Sequence, residues 1–206
     1  MTELIKINPD NIDDRLIAKV VKCLQNGGII IYPTDTVYTL GCDLMHRSAY
    51  EDLCKLKKLK PNKANFSIVC YDLSHISDYT LNVSNACFKL MKRCLPGPYT
   101  FILNANNTIT KIYGYSKKTI GIRVPENNIA RGIVKALGAP ILSASIKIDD
   151  TVLEYISDPQ EIYELYDGVV DMVIDGGPGG NIASTILDYT GDDPKLIREG
   201  KGEYMA

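Results

Sequence analysis

The sequence predicts an α/β protein built around a mixed sheet. Amphipathic helix patterns alternate with short apolar strand patterns along most of the chain, and strand patterns predominate near its end. A chain of 206 residues with 45% hydrophobic content is long enough to bury a full core. We therefore expect one domain over residues 1–206, with its core at about 12–200.

Composition limits the classes of function that the chain can serve. No apolar run approaches the roughly 20 residues that a membrane-spanning helix requires, and the N-terminus lacks the pattern of a signal peptide. These features predict a cytoplasmic protein with no membrane partner. The net charge of −2 excludes a wholly basic surface for nucleic acid but permits a local positive region.

The first helix is predicted at about residues 12–26, where apolar residues recur at helical spacing until Gly27-Gly28 ends the pattern. A buried strand at 28–32 follows and breaks at Pro33. The next residues, Thr34-Asp35-Thr36-Val37-Tyr38-Thr39, offer neutral hydroxyls that suit a small polar ligand or phosphate oxygens. Such a segment is also typical of an ordinary turn.

The second helix is predicted at Ser48–Leu59, with a cluster of lysines at its C-terminal end, where the helix dipole favours cations. The cluster consists of Lys55, Lys57, Lys58, Lys60 and Lys63. Three interpretations remain open at this point: a solvated helix face, a clamp for ATP phosphates, and a contact surface for RNA.

The remaining elements follow from apolar runs and from the Gly and Pro residues between them. Strands are predicted at 66–70, 99–103, 119–124, 140–145, 172–174, 184–188 and 196–198, and helices at 85–93 and 129–137. The glycine-rich segment 176–180 is interpreted as a hairpin connection rather than as a phosphate cradle.

The sequence lacks the motifs typical of metal sites, of nucleophilic serines and of glycine-rich nucleotide-binding loops. The six cysteines contain no Cys-x-x-Cys pair, and the two histidines have no partner at ligand spacing, so we predict no metal site. No Gly-x-Ser-x-Gly, Gly-x-x-x-x-Gly-Lys-Ser/Thr or Gly-x-Gly-x-x-Gly motif occurs. A nucleotide would therefore be held by side chains and irregular turns.

Hydroxyl and guanidinium groups recur at the predicted strand ends: Thr34 to Tyr38, Thr119 with Arg123, Ser143 with Ser145, and Ser184 with Arg198. Open α/β sheets bind ligands at such ends. Each residue also has a structural interpretation, because an arginine can pair at a strand edge or in a polar tail and small serines can pack.

Five motifs, in this order, resemble those of the threonylcarbamoyl-AMP synthase superfamily, also called YrdC-like. They are Pro-Thr-Asp-Thr-Val-Tyr at 33–38, Pro-Gly-Pro-Tyr-Thr-Phe-Ile-Leu at 96–103, Thr-Ile-Gly-Ile-Arg-Val-Pro at 119–125, Ser-Thr-Ile-Leu-Asp at 184–188 and Ile-Arg-Glu-Gly at 197–200. Within the superfamily the chain is most similar to the YciO-type branch, through Asn65-Phe66-Ser67 and the segment 70–74.

The resemblance implies a single YrdC-like domain: a twisted, open mixed sheet, flanked by helices, with a concave ligand-binding face. It implies a nucleotidyltransferase-type reaction that joins L-threonine, bicarbonate and ATP, as a substrate with Mg²⁺, into threonylcarbamoyl-AMP for tRNA modification. No catalytic residue or permanently bound cofactor is expected, because positioning and charge stabilisation suffice.

The implied ligand contacts fall into two sets. The expected threonine-binding residues are Thr34, Arg123, Ser143 and Ser184, and the expected ATP-binding residues are Lys57, Lys60, Thr119, Ser145 and Arg198.

The chain departs from the synthase pattern at three positions. Leu59 stands at the arginine of Lys-x-Arg-Pro, Ser145 at the asparagine of Ser-x-Asn, and Thr39 where glycine is common. A lost charged hydrogen bond costs roughly 1.5–3 kcal/mol, so we expect a weaker synthase. Two alternatives remain: a double-stranded RNA- or tRNA-binding protein without synthase activity, and a related reaction on a carbamoyl-nucleotide.

Overall fold

A ten-stranded sheet forms the centre of the protein in the computed structural model, which describes residues 1–113, 118–146, 155–191 and 193–204. The strands are β1 (Glu3–Lys6), β2 (Ile30–Tyr32), β3 (Thr39–Asp43), β4 (Ser67–Val69), β5 (Tyr99–Asn104), β6 (Thr119–Arg123), β7 (Ile141–Ser145), β8 (Met172–Asp175), β9 (Thr185–Asp188) and β10 (Lys195–Arg198). Within these ranges six α-helices flank the sheet: α1 (Asp14–Gln25), α2 (Arg47–Leu56), α3 (Asn85–Cys94), α4 (Asn107–Tyr113), α5 (Asn128–Leu137) and α6 (Pro159–Tyr166).

The strand order is β1-β8-β2-β3-β7-β4-β6-β5-β9-β10, which places distant parts of the chain side by side. Four pairs are parallel, namely β1 with β8, β2 with β8, β4 with β6 and β5 with β9, and the other pairs are antiparallel. The protein is therefore a single α/β domain on an open mixed sheet, as the sequence predicts.

Each face of the sheet is covered by helices. Helices α1 and α5 pack on one face, where Val20 and Leu24 meet Ile129 and Ile133 in one apolar cluster. Particular residues set the ends of these helices. Asp13 and Asn127 cap the first turns of α1 and α5, and Gly138, with φ of 73°, ends α5. Residues of α2, α3, α4 and α6 contribute to the larger apolar cluster.

Some elements differ from the prediction. The strands β1 and β3 and the helices α4 and α6 were not predicted, and α2 ends at Leu56 rather than at Leu59. The helix stops because Lys58 adopts a positive φ of 53°, which no helix continues. Lys57 therefore lies at the C-cap of α2 and Leu59 lies beyond it.

The hairpin interpretation of segment 176–180 is wrong. Strand β8 lies between β1 and β2, whereas β9 lies between β5 and β10 near the other edge of the sheet. The glycine-rich segment thus crosses from one half of the sheet to the other. Two apolar runs separated by glycines predict two strands, but they do not show whether those strands pair with each other.

Candidate ligand-binding cleft

A cleft with a volume of about 310 Å³ opens on the sheet where the central strands meet the segment before β9. Among the residues that the structure describes, its lining contains three cations, Lys57, Arg123 and Arg198, and no carboxylate. Seven hydroxyl side chains also line it: Thr36, Thr39, Ser67, Thr100, Ser143, Ser145 and Ser184. Asn65 and six apolar residues complete the wall, the latter being Val37, Leu59, Phe66, Ala144, Ala183 and Ile186. Such a lining suits an anionic ligand with several hydrogen-bonding groups.

The floor of the cleft is concave because small residues share one level of four neighbouring strands. Ser143 of β7 is paired with Gly41 of β3 on one side and with Ser67 of β4 on the other, and Ser67 is paired with Gly121 of β6. A Cβ at Gly121 would lie 2.5 Å from the Ser67 Oγ, and one at Gly41 would lie 2.6 Å from the Tyr32 ring. Any larger residue in this row would fill the floor.

A buried ion pair joins the turn after β2 to the end of β6. The Arg123 Nη2 donates to Asp35 Oδ1 at 2.8 Å and to Thr36 Oγ1 at 3.1 Å. Both charged side chains are at most 8% exposed. Burial raises the pKa of Asp35 and lowers that of Arg123, and the charge of each partner opposes the shift of the other. Within the described residues the Arg123 Nε has no hydrogen-bond acceptor.

Arg198 and Ser184 are in direct contact on the opposite wall. The guanidinium donates from Nε and Nη2 to the Ser184 carbonyl oxygen, at 3.1 and 2.8 Å, and Nη2 also reaches the Ser184 Oγ at 3.3 Å. Thr100 holds the same hydroxyl at 2.8 Å. These contacts orient the arginine along the cleft wall. The family resemblance implied that Ser184 binds threonine and Arg198 binds ATP, whereas the two residues are neighbours in the fold.

Lys57 closes the third side of the cleft. Its Nζ donates to the carbonyl oxygen of Ser145 at 3.1 Å, which brings together two residues of the predicted ATP set. Leu59 lines the cleft nearby and is 41% exposed. This end of the cleft therefore combines a lysine and a serine with an apolar, accessible side chain.

Comparison with known proteins identifies the family. Residues 22–200 match the family model named Sua5/YciO/YrdC and described as telomere recombination. The chain belongs to this family. It is 41% identical to the YciO protein of Escherichia coli strain K12 over 204 residues, which cover 98% of both chains.

Solved structures place this family member in the same fold group. The crystal structure of E. coli YciO matches with a TM-score of 0.90 and 40% identity over 98% of both chains. Sua5 of P. abyssi complexed with L-threonine matches with a TM-score of 0.87 and 23% identity, over 97% of this chain and 58% of that one. The threonylcarbamoyl-AMP synthase of Bacillus subtilis is a more distant relative, 28% identical over 91% of this chain and 54% of its own length.

Six of the nine predicted ligand contacts of this family member line the cleft: Lys57, Arg123, Ser143, Ser145, Ser184 and Arg198. The other three do not. Thr34 lies behind Thr36, to which its hydroxyl is bonded at 3.0 Å. Thr119 borders a much smaller cavity with Tyr113 and Tyr50. Lys60 is exposed ahead of a short 3₁₀ helix at Pro61–Lys63.

Asp35 is the site residue that sequence reasoning missed. It stands inside the opening motif, but nothing in the sequence indicates that its partner is a guanidinium 88 residues later. The available signal was an acidic residue close after a predicted buried strand, because an acid that becomes buried requires a cation or a ligand.

The glycine-rich segment supports the turn after β2 from behind. A Cβ at Gly180 would lie 2.1 Å from the Thr36 carbonyl oxygen, and one at Gly179 would lie 2.6 Å from the Tyr38 ring. The Tyr38 hydroxyl donates to the Gly177 carbonyl at 2.7 Å and accepts from the Gly176 N–H at 3.1 Å. The glycines are therefore required for close backbone approach.

In the described part of this family member, no group of three or more His, Cys, Asp or Glu residues could hold a metal ion. No described helix is both long and apolar enough to cross a membrane.

Proposed function

We propose that this protein is a threonylcarbamoyl-AMP synthase-like enzyme that binds ATP and L-threonine in the cleft and, with bicarbonate, forms threonylcarbamoyl-adenylate. One observation carries the proposal: Lys57, Arg123 and Arg198 converge on a cleft that no carboxylate of the described residues lines. The relationship to a Bacillus subtilis threonylcarbamoyl-AMP synthase supports it. The fold shared with a Sua5 protein that was complexed with L-threonine is consistent with it.

The reaction requires placement rather than a strong base. The threonine amine adds to the bicarbonate carbon with loss of water, and a carbamate oxygen then attacks the α-phosphorus of ATP while pyrophosphate leaves. Charge builds on phosphate oxygens, where positioned cations lower the barrier. Magnesium would enter with ATP as part of the substrate.

The proposed residue roles follow the geometry of the cleft. Arg123 would hold the threonine carboxylate through the part of its guanidinium that Asp35 does not use, with Ser143 and Ser184 beside it. Lys57, Ser145 and Arg198 would contact the phosphates or ribose. Thr34 would act through Thr36, and Lys60 and Thr119 would contact only a part of ATP that extends beyond the cleft.

The three departures from the synthase pattern all line the cleft: Thr39, Leu59 and Ser145. An arginine at Leu59 would add a charged hydrogen bond worth about 1.5–3 kcal/mol, so its absence lowers ATP affinity by roughly ten- to a hundredfold. We therefore propose a synthase-like site with weak turnover.

A chromatographic assay tests the proposal. The protein is incubated with ATP, magnesium, bicarbonate and L-threonine, and the mixture is analysed for a new adenylate and for pyrophosphate. Arg198→Ala should abolish the product. Arg47→Ala is the control, because Arg47 is exposed on α2 and pairs only with Glu51 among the described ion pairs. ATP binding without product would indicate a related reaction on a carbamoyl-nucleotide.

RNA binding is a second candidate, favoured by the four exposed lysines Lys55, Lys58, Lys60 and Lys63 beside the cleft. Affinity held by lysine–phosphate contacts falls steeply with salt. A duplex RNA titration at several salt concentrations, without any adenylate product, would favour this function over the synthase.

A further inference from the structure

The hydroxyl groups on the cleft floor have fixed hydrogen-bond directions. Thr39 contacts two oxygens: the Ala144 carbonyl at 2.7 Å and the Ser143 Oγ at 3.0 Å. A carbonyl can only accept, so the single hydroxyl hydrogen of Thr39 is used on Ala144. In the second contact, Ser143 must therefore be the donor.

Ser143 receives a further bond from behind. The Tyr32 hydroxyl donates to the Ser143 Oγ at 3.3 Å. Tyr32 is fully buried, and burial raises its pKa to about 12, so it keeps its proton at neutral pH. Among the residues that the structure describes, Ser143 thus donates once and accepts once. The one hydrogen-bonding position that remains on its oxygen is a lone pair.

The same arrangement recurs at the turn after β2. The Thr34 hydroxyl donates to the Val37 carbonyl at 2.7 Å, so the 3.0 Å contact between Thr34 and Thr36 takes its hydrogen from Thr36. Thr36 also accepts from the Arg123 Nη2 at 3.1 Å. Its remaining position is again a lone pair. Both residues line the cleft, with Thr36 fully buried and Ser143 6% exposed.

We propose that Thr39 is a specificity-determining residue, which makes Ser143 a hydrogen-bond acceptor toward the ligand, and that Thr34 fixes the hydrogen-bond direction of the buried Thr36 in the same way. The cleft then selects a ligand that carries an N–H or O–H donor close to its anionic group. An α-amino acid meets this requirement, since its ammonium and carboxylate stand on one carbon. The choice of an amino acid rests on the function proposed above, whereas the direction of the hydrogen bonds does not.

Binding of two matched acids tests the selection. L-threonine and 3-hydroxybutyrate differ only in the amino group, and calorimetry should show at least roughly tenfold tighter binding of L-threonine to the wild type. Thr39→Val removes the hydroxyl at constant shape and frees the hydrogen of Ser143, so this preference should fall about tenfold. Thr39→Ser should keep the preference.

Thr80→Val is the matched control. Thr80 is a buried threonine whose hydroxyl also donates to a backbone carbonyl, that of Ile76 at 2.9 Å, but it does not line the cleft. The control should retain the preference for L-threonine. An unchanged preference in Thr39→Val, equal binding of both acids to the wild type, or binding of neither would overturn the inference.

A neutron structure of the deuterated, ligand-free protein tests the hydrogen-bond direction even if Thr39→Val does not fold. The Ser143 deuterium should point to the Thr39 Oγ1, and a deuterium that points into the cleft would overturn the inference. The adenylate assay decides the proposed function separately. Absence of the adenylate together with an intact preference for L-threonine would contradict the proposed function but not this inference.

Discussion

Arg123 and Asp35 form a buried ion pair at 2.8 Å that connects two motifs 88 residues apart. The carboxylate holds the guanidinium against Thr36 while Arg123 still lines the cleft. Because Asp35 keeps the arginine charged in a buried position, it prepares Arg123 for an anionic ligand. The pair therefore has a consequence for stability as well as for binding.

Arg123→Leu should destabilise the protein by about 3–5 kcal/mol near neutral pH, because Asp35 would remain buried without its cation. Burial already raises the pKa of Asp35 and Arg123 opposes that shift, so the substitution raises the pKa further. A folded-state pKa above the unfolded value favours folding as pH falls. The stability deficit should thus shrink as pH drops through the raised pKa toward 3.8.

Urea unfolding of wild type and variant at a series of pH values measures this difference. Asp35→Asn combined with Arg123→Leu is the control, because it removes the titrating group and its deficit should not shrink as pH falls. A pH-independent deficit in the single variant would show that Asp35 is not the group responsible.

Gly180→Ala should lower the free energy of unfolding by about 1–3 kcal/mol, because the new methyl would overlap the Thr36 carbonyl oxygen, 2.1 Å away. Ligand affinity should fall as well, since the turn that carries Thr36 must move. Gly191→Ala is the matched control, because apart from the chain neighbours no heavy atom of the described residues lies within 4 Å of the added carbon. Equal free energies of unfolding for the two variants, measured in urea, would contradict the close approach of Gly180 to the Thr36 carbonyl.

Lys201→Met should weaken ligand binding without lowering stability more than the control does. Lys201 follows β10, and its Nζ donates to the Asp35 carbonyl oxygen while its N–H donates to Ala183. It thereby ties the two walls of the cleft together. Lys195→Met removes another exposed lysine, on β10, and this variant should bind ligand normally. Identical ATP affinities in the two variants would exclude this role.

Leu59→Arg should raise ATP affinity roughly tenfold, the value of one charged hydrogen bond. The side chain is 41% exposed and lines the cleft, so a longer cation can be accommodated. Leu165→Arg is the control, because Leu165 is 45% exposed on α6 and does not line the cleft. A similar gain in both variants would point to a nonspecific charge effect.

Much of the fold was predictable because local signals agree with the tertiary structure. The strand at 99–103 and the helix at 129–137 have clear boundaries in the sequence, set by Pro98 and by Gly138. The helix α6 also carries a readable start, with Asp158 as its cap and Pro159 in its first turn. It was missed because its apolar pattern is short.

The site was only partly predictable because sheet order is a long-range property. Ser143, Ser67 and Gly121 share one level of the sheet, although their strands are far apart in the chain. Thr34 shows that the sequence does not determine which side chains of a turn face the cleft. Its place in the motif was recognised, but whether it or Thr36 faces the cleft depends on turn geometry.

Calorimetric titration of ATP with magnesium into the wild type and Arg198→Ala tests the central claim most directly. The cleft of three cations should bind ATP in the wild type, and Arg198→Ala should weaken binding at least tenfold, the value of a lost charged hydrogen bond. Arg47→Ala should leave binding unchanged. Wild-type protein that binds no ATP, or equal affinity in Arg198→Ala, would contradict the assignment of this cleft as a nucleotide site.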